Sequence, residues 1–264
     1  MNNPAQRLLN ILEHGKQFGK NQTCKAVWCE ILEVESKSTH MLLGRIGKTM
    51  ALADEIVSEL GKLENVKVER YLAWIPRLET AFSKSPLDQQ WGNFINHIDS
   101  HVINYLEMTS DLLSARSPQA VLNKDQLDEI KDEALDLLKL IDASNIEAKL
   151  KEYLTAQITR VCISIEEYVI TGATDIIDIV EATFGKALLH KEIAEERNKS
   201  DVGKRFWNFM GKTALAFSVI SGPLTIGIAA KELGLIEIKS DGTIQPIEVE
   251  STAESIDSTQ LQNA

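Results

Sequence analysis

Two histidines, His97 and His101, have a spacing that could bind a metal ion. Side chains four residues apart lie on one face of an α-helix, and two imidazoles placed there form half of a zinc site. The zinc-protease motif needs glutamate directly after the first histidine, where this chain has Ile98. Glu107 and Asp111 lie too far along the helix to complete the site. His97 and His101 are therefore candidate metal ligands without an assigned third ligand, and the alternative is a polar edge beside an apolar stripe.

Two Gly-Lys-Thr triplets, at residues 47–49 and 211–213, resemble the end of a phosphate-binding loop. Such a loop also needs a glycine five residues before the second glycine, and Leu42 and Phe206 occupy those positions. Neither triplet follows a predicted strand. Both are therefore predicted to be helix interiors.

The remaining reactive residue types form no catalytic pattern. Cys24 and Cys29 lack the two-residue gap of metal or redox clips, and Cys162 lies in an apolar helix, so all three are predicted to be buried. An odd number of cysteines fits a reducing compartment. The pairs 166–167 and 195–196 are glutamates that we interpret as solvated surface. The sequence predicts a protein that is not an enzyme and has no cofactor, with a metal enzyme built from scattered residues as the alternative.

Helical periodicity dominates the chain and predicts an all-α, multi-helix bundle of about seven helices over residues 1–195. Asn3 and Pro4 are predicted to begin the first helix, and Pro76 to break the fourth near Ile75. A linker is predicted at 117–119. Low counts of Gly (14) and Pro (6) agree with a helical body.

Three further segments are predicted after the bundle. Residues 196–234 form a basic approach and an apolar helical segment or hairpin, and residues 235–249 alternate around Asp241 and Gly242 as in a short β-hairpin. Residues 250–264 read as a disordered acidic tail, because few large apolar side chains offset the entropy of ordering.

Charge is distributed unevenly over the 264 residues. The net charge is −11, and the last 33 residues contain seven acidic and one basic side chain. An acidic total argues against a nucleic-acid binder, which carries a basic surplus. No signal peptide is recognised at the start of the chain, so cytoplasmic localisation is expected.

An uncharged run of 18 residues, 213–230, follows a basic stretch with a local charge of +4 over residues 197–212. Eighteen residues is the lower limit for crossing a bilayer, and a tryptophan beside basic residues is typical of an interfacial anchor. The basic flank comprises Arg197, Lys199, Lys204, Arg205 and Lys212. The predicted membrane-contacting or interface side chains are Trp207, Phe209, Phe217, Ile220, Leu224, Ile226 and Ile228.

The run has two open interpretations. It could lie on or span the inner membrane with the bundle in the cytoplasm, or fold back at Gly222 and Pro223 into the protein core. A third interpretation combines the two, in which a soluble protein inserts this hairpin into the membrane only when triggered.

Several short matches resemble a group of uncharacterised bacterial helical proteins. They are the start at residues 3–12, then Trp28, residues 71–76, Ile98-Asp99 and Leu106-Glu107. The resemblance covers roughly residues 3–190 and implies a helical body with a variable C-terminal appendage. It implies no catalytic residue.

These observations favour a non-enzymatic, membrane-associated helical protein that binds a partner or acts as an effector. Its architecture suits bacterial stress response or phage defence. The alternative is a soluble helical scaffold or oligomer whose residues 213–233 are buried in the core or in a subunit interface. The partners expected are a protein, a second copy of the chain or inner-membrane lipid, and not nucleic acid.

Overall fold

The computed structural model describes residues 3–116, 122–221, 234, 236–238 and 244–246, and the side chains of residues 3–115 and 122–217. The described chain is an all-α bundle with one small strand pair. The helices are α1 (Pro4–Gly15), α2 (Cys24–Ile31), α3 (Thr39–Gly61), α4 (Ile75–Lys84), α5 (Trp91–Ile95), α6 (Ser100–Arg116), α7 (Lys124–Ala143), α8 (Ala148–Glu166), α9 (Tyr168–Thr171), α10 (Thr174–Leu189), α11 (Lys191–Lys199) and α12 (Asp201–Ser221). A 3-10 turn covers Val68–Tyr71.

The first half of the bundle is built around α1, which packs against α3 and α6. Its start follows the sequence prediction, because the side chain of Asn3 accepts a hydrogen bond from the backbone N–H of Gln6 and Pro4 occupies the first turn. The indole N–H of Trp91 donates to the carbonyl of Gly15 at 2.8 Å. This hydrogen bond attaches α5 to the end of α1, and within α5 the ring of Trp91 stacks on Phe94.

The buried hydrophobic residues form two clusters rather than one. The N-terminal core contains residues from Ala5 to Leu113 together with Ile170 of α9, and the C-terminal core contains residues from Leu122 to Phe217. The division therefore falls at the connection between α6 and α7. The C-terminal core continues across residue 195, where the sequence predicted the bundle to end.

Eleven of the described α-helices begin within residues 1–195, more than the seven or so expected there, because apolar spacing continues across several chain breaks. Helices α5 and α6 are separate because the Asp99 side chain accepts from the backbone N–H groups of His101 and Val102 and starts a new helix. Likewise, α4 begins at Ile75, where Pro76 lies in the first turn and needs no N–H donor.

A short antiparallel pair, β1 (Ile236–Ile238) and β2 (Ile244–Pro246), lies within the segment predicted as a hairpin, with Ile236 opposite Pro246. Strand β2 packs against α12. The other residues of that segment lie outside the described residues, as do the linker predicted at 117–119, the turn at Gly222 and Pro223, and the tail at 250–264.

Two glycines give a matched test of the C-terminal packing. A methyl group at Gly203 would overlap the carbonyl of Glu196, whereas nothing lies within 4 Å of the same position at Gly185 in α10. We expect Gly203→Ala to lower the free energy of unfolding by about 1–3 kcal/mol. Gly185→Ala should raise it by up to about 1 kcal/mol, because alanine favours a helix interior. Chemical denaturation measures both changes, and equal signs would contradict the close approach of α11 and α12.

Candidate functional site at the polar joint

Arg45 of α3 is the most deeply buried cation among the described residues, with a side chain 3% exposed. Its guanidinium donates to the carbonyls of Leu32 at 2.7 Å and Glu33 at 3.2 Å, at the C-terminal end of α2. It also donates to the Glu166 carboxylate at 3.0 Å, and its Nε lies 3.5 Å from an oxygen of Glu167. One side chain thus connects the end of α2 to the end of α8.

The charges continue outward from Arg45 in alternating sign. Lys48 lies 2.6 Å from Glu167 and 3.2 Å from Asp175 of α10. Lys131 of α7 lies 2.9 Å from the second oxygen of Glu166. We call this set the polar joint, because it connects α3 to α7, α8 and α10; its members are Arg45, Lys48, Lys131, Glu166, Glu167 and Asp175.

Arg7 of α1 makes a second polar connection beside the joint. Its guanidinium donates to the carbonyl of Ile170, whose side chain belongs to the N-terminal core, and to Glu55 at 2.9 Å. Burial lowers the pKa of Arg7 while the charge of Glu55 opposes that change. A guanidinium remains protonated at neutral pH, so Arg7 serves as a fixed cation at this contact.

The polar joint is suited to holding helices together rather than to acid–base chemistry. Partial burial lowers the pKa of Lys48, but its hydrogen bonds and charge interactions with Glu167 and Asp175 outweigh burial, and the pKa lies above its usual value. A lysine that holds its proton is neither a base nor a nucleophile. Each joint carboxylate has a cation within 3.2 Å.

The interpretation as solvated surface was wrong for Glu167, whose side chain is only 12% exposed, whereas Glu166 is exposed. Both belong to the polar joint. Their partner Arg45 lies 121 residues away from Glu166 in the chain, so no local spacing indicates the pairing.

The two candidate metal ligands do not share one helix. His97 lies in the turn after α5, while His101 lies in the first turn of α6 and contacts the ring of Tyr105. Across the described residues, no group of three or more His, Cys, Asp or Glu side chains is placed to hold a metal ion. Both Gly-Lys-Thr triplets lie inside helices, α3 and α12, which confirms the prediction for them.

The three cysteines are buried, as predicted. Burial raises the pKa of Cys24 and of Cys162. A raised pKa keeps a thiol protonated at neutral pH, and the protonated form is a poor nucleophile. Cys24 and Cys162 therefore fit the role of small core residues.

Three side chains predicted to contact a membrane or a partner lie in the C-terminal core instead. Trp207 and Phe209 are 1% exposed and Phe217 is fully buried. The indole N–H of Trp207 donates to the carbonyl of Ile193 at 3.1 Å, which satisfies its polar atom inside the protein. The expectation that these residues form an outward-facing anchor is corrected, because Trp207 packs against Phe184 of α10 and Ile193 of α11, and Phe217 packs against Tyr168 of α9.

The basic flank is largely engaged within the chain. Arg197 donates to the carbonyl of Gly234 at 2.6 Å, and Lys212 pairs with Glu133 of α7 at 3.2 Å. Lys199 and Arg205 pair one helical turn back with Glu195 and Asp201. Lys204 lies in α12 and is partly buried. Lys199 and Arg205 therefore stabilise their own helices, and Lys212 connects α12 to α7.

The side chains of Ile220, Leu224, Ile226 and Ile228 lie outside the described residues. Within the part that is described, no helix combines the length and apolarity that a membrane crossing requires. Membrane contact by those four side chains stays a prediction.

A cleft of about 460 Å³ lies between α7 and α12. Phe209 and Leu137 form part of its apolar wall, and Glu133 and Lys212 lie at its polar edge. The cleft has no local sequence signature, because its walls come from helices about 80 residues apart in the chain.

No family model, no curated protein and no solved structure matches this chain. The resemblance to bacterial helical proteins over residues 3–190 stays a prediction.

Removing the central cation tests the polar joint. We expect Arg45→Ala to lower the free energy of unfolding by about 3 kcal/mol, because the carbonyls of Leu32 and Glu33 lose their buried donor and Glu167 keeps only Lys48 as a cation. The matched control is Lys139→Ala, whose pair with Asp136 is exposed and should leave the denaturation midpoint unchanged. Equal effects of the two substitutions would mean that Arg45 contributes no more than a surface charge.

Stability should fall at alkaline pH. The raised pKa of Lys48 gives stability that is present at neutral pH and lost as pH rises through its folded-state pKa, above 10.5. Burial raises the pKa of Cys24 and of Cys162. The free energy of unfolding therefore also falls once the pH reaches the ordinary thiol pKa of 9.0, because the thiols ionise in the unfolded chain before they ionise in the folded one. Melting temperature measured from pH 7 to 11 checks this. A double Cys24→Ala, Cys162→Ala variant should begin its decline at higher pH.

Proposed function

We propose that this protein is a non-enzymatic helical scaffold that works by binding protein, and that its apolar C-terminal segment as far as Phe217 is part of its own core. The observation that carries the proposal is the burial of Trp207, Phe209 and Phe217. The expected membrane contact is based on the basic stretch beside the uncharged run 213–230, with Trp207 as the interfacial residue. Buried in the C-terminal core, the three aromatic side chains support the scaffold hypothesis.

The charged groups support the same proposal. The carboxylates and cations of the polar joint connect helices. The pKa of Lys48 is raised, which favours its charged form. A site for general acid–base chemistry needs a group whose pKa is moved toward neutrality. Stabilising charge pairs of this kind suit a scaffold.

Exposed apolar side chains supply surface for a protein partner. Helix α3 carries Leu43 at 54% exposure, Met50 at 43% and Val57 at 36%. They recur every seven residues, which places them on one side of the helix. An apolar strip of this kind is typical of helix–helix recognition.

The membrane-associated effector, with its suggested place in bacterial stress or phage defence, stays a prediction. It now depends on side chains after Phe217, since the aromatic anchor of α12 faces the core. Cytoplasmic localisation stays a prediction as well.

Substitution of Trp207 distinguishes a core residue from a membrane anchor. If Trp207 is a core residue, Trp207→Ala should lower the free energy of unfolding by about 3–5 kcal/mol through the cavity that it leaves. The control is Leu189→Ala, an apolar side chain 83% exposed at the end of α10, for which little change is expected.

Sedimentation with anionic phospholipid vesicles completes this test. The scaffold proposal expects wild type and Leu189→Ala to stay in the supernatant at both low and high salt. Vesicle binding by wild type that Trp207→Ala abolishes, with unfolding free energy unchanged, would overturn the proposal in favour of a membrane anchor.

A further inference from the structure

The outward side of α3 carries an alternating pattern of large and small residues. The members of this α3 seam are Leu43, Gly47, Met50, Asp54, Val57 and Gly61, separated by alternating steps of four and three residues. Steps of this kind keep side chains in one strip along a helix and are the spacing of a coiled-coil interface. Every member is exposed, and Asp54 is its only charged residue.

The fold of a single chain does not account for the seam. The opposite side of α3 already supplies the core with Leu42, Leu52 and Ile56, all fully buried. Nothing lies within 4 Å of a side chain added at Gly47 or Gly61. Gly47 lies inside α3, where glycine costs about 1 kcal/mol relative to alanine, and no contact within the described chain requires that cost; Gly61 is the last residue of the helix.

We propose that the α3 seam binds the α3 seam of a second copy of this chain, with the two helices antiparallel. This inference rests on the proposed scaffold function and names its partner. In one antiparallel register, Leu43 lies opposite Gly61 of the second copy and Val57 lies opposite Gly47. Met50 then lies opposite Asp54. Each layer combines a large side chain with a smaller one, so the two glycines admit the side chains that they face.

The antiparallel arrangement follows from volume. A parallel pair in register would leave glycine opposite glycine, and unfilled layers lose packing energy. The antiparallel register repeats itself under two-fold rotation, as a closed dimer requires.

The seam leaves the polar joint intact. Arg45 and Lys48 project from other sides of α3 and remain bound to Glu166 and Glu167. A helix of 23 residues is about 35 Å long, and one such helix pair is small beside the interfaces of tight dimers. We therefore expect a weak dimer, with a Kd of about 10–100 μM.

Sedimentation equilibrium of the full chain at concentrations of roughly 5–200 μM, spanning the expected Kd, tests the proposal. The average mass of wild type should rise from 29.4 kDa toward twice that value. Met50→Glu places a charge at the centre of the seam and should weaken association at least tenfold. The control is Met108→Glu on α6, where the methionine is 54% exposed but lies outside the seam, and its Kd should equal that of wild type.

Gly47→Ala separates the dimer from the stability of the monomer. The new methyl group meets nothing in the monomer, so the denaturation midpoint of dilute protein should rise. The same methyl group occupies the space assigned to Val57 of the second copy, and association should weaken about tenfold. Weaker folding together with unchanged association would overturn the assignment.

A spin-label measurement fixes the orientation. Labels attached at His40→Cys, near the start of α3, should lie roughly 35–40 Å apart in an antiparallel pair and within about 15 Å in a parallel one. A short distance, or a mass of 29.4 kDa at every concentration, would overturn the proposal. The Trp207→Ala experiment is independent of the seam, so failure of the dimer and failure of the scaffold function are distinguishable.

Discussion

The buried guanidinium of Arg45 is the constraint on which the arrangement of this protein depends. A cation that is 3% exposed is stable only when carboxylates and carbonyls replace the water that it has lost. Arg45 obtains them from the end of α2 and from Glu166 and Glu167 at the end of α8. These partners belong to the two halves of the bundle, so the requirement to neutralise one charge sets the position of α3 against the C-terminal core. Ile170 reinforces the contact, since its side chain joins the N-terminal core while its carbonyl accepts from Arg7.

This arrangement gives α3 two separate tasks. One side carries Arg45 and Lys48 and connects the halves, while the outward seam is free to meet another molecule. The C-terminal helices form the second core, in which the indole N–H of Trp207 in α12 donates to the carbonyl of Ile193 in α11. A two-core body that presents one helix is consistent with the proposed scaffold.

The sequence predicts local features well and distant pairings poorly. The N-cap at Asn3 and the burial of Cys24, Cys29 and Cys162 follow from local spacing and composition. The pairing of Arg45 with Glu166 spans 121 residues, and neither residue carries a local sign of its partner. The anchor interpretation of Trp207 failed for a related reason. An apolar segment beside basic residues has the same sequence pattern whether those residues meet lipid headgroups or pair with acidic side chains nearby, as Lys199 does with Glu195 and Lys212 with Glu133.

Native-state hydrogen exchange in increasing denaturant tests the coupling of the two cores most directly, because it reports the opening of each helix separately. We predict that amides of α1 and α10, which lie in different cores, share one opening free energy in the wild-type protein. In Arg45→Ala, the same amides should acquire two different values, because the halves then open independently. Two values in wild type, or one shared value in Arg45→Ala, would contradict the account.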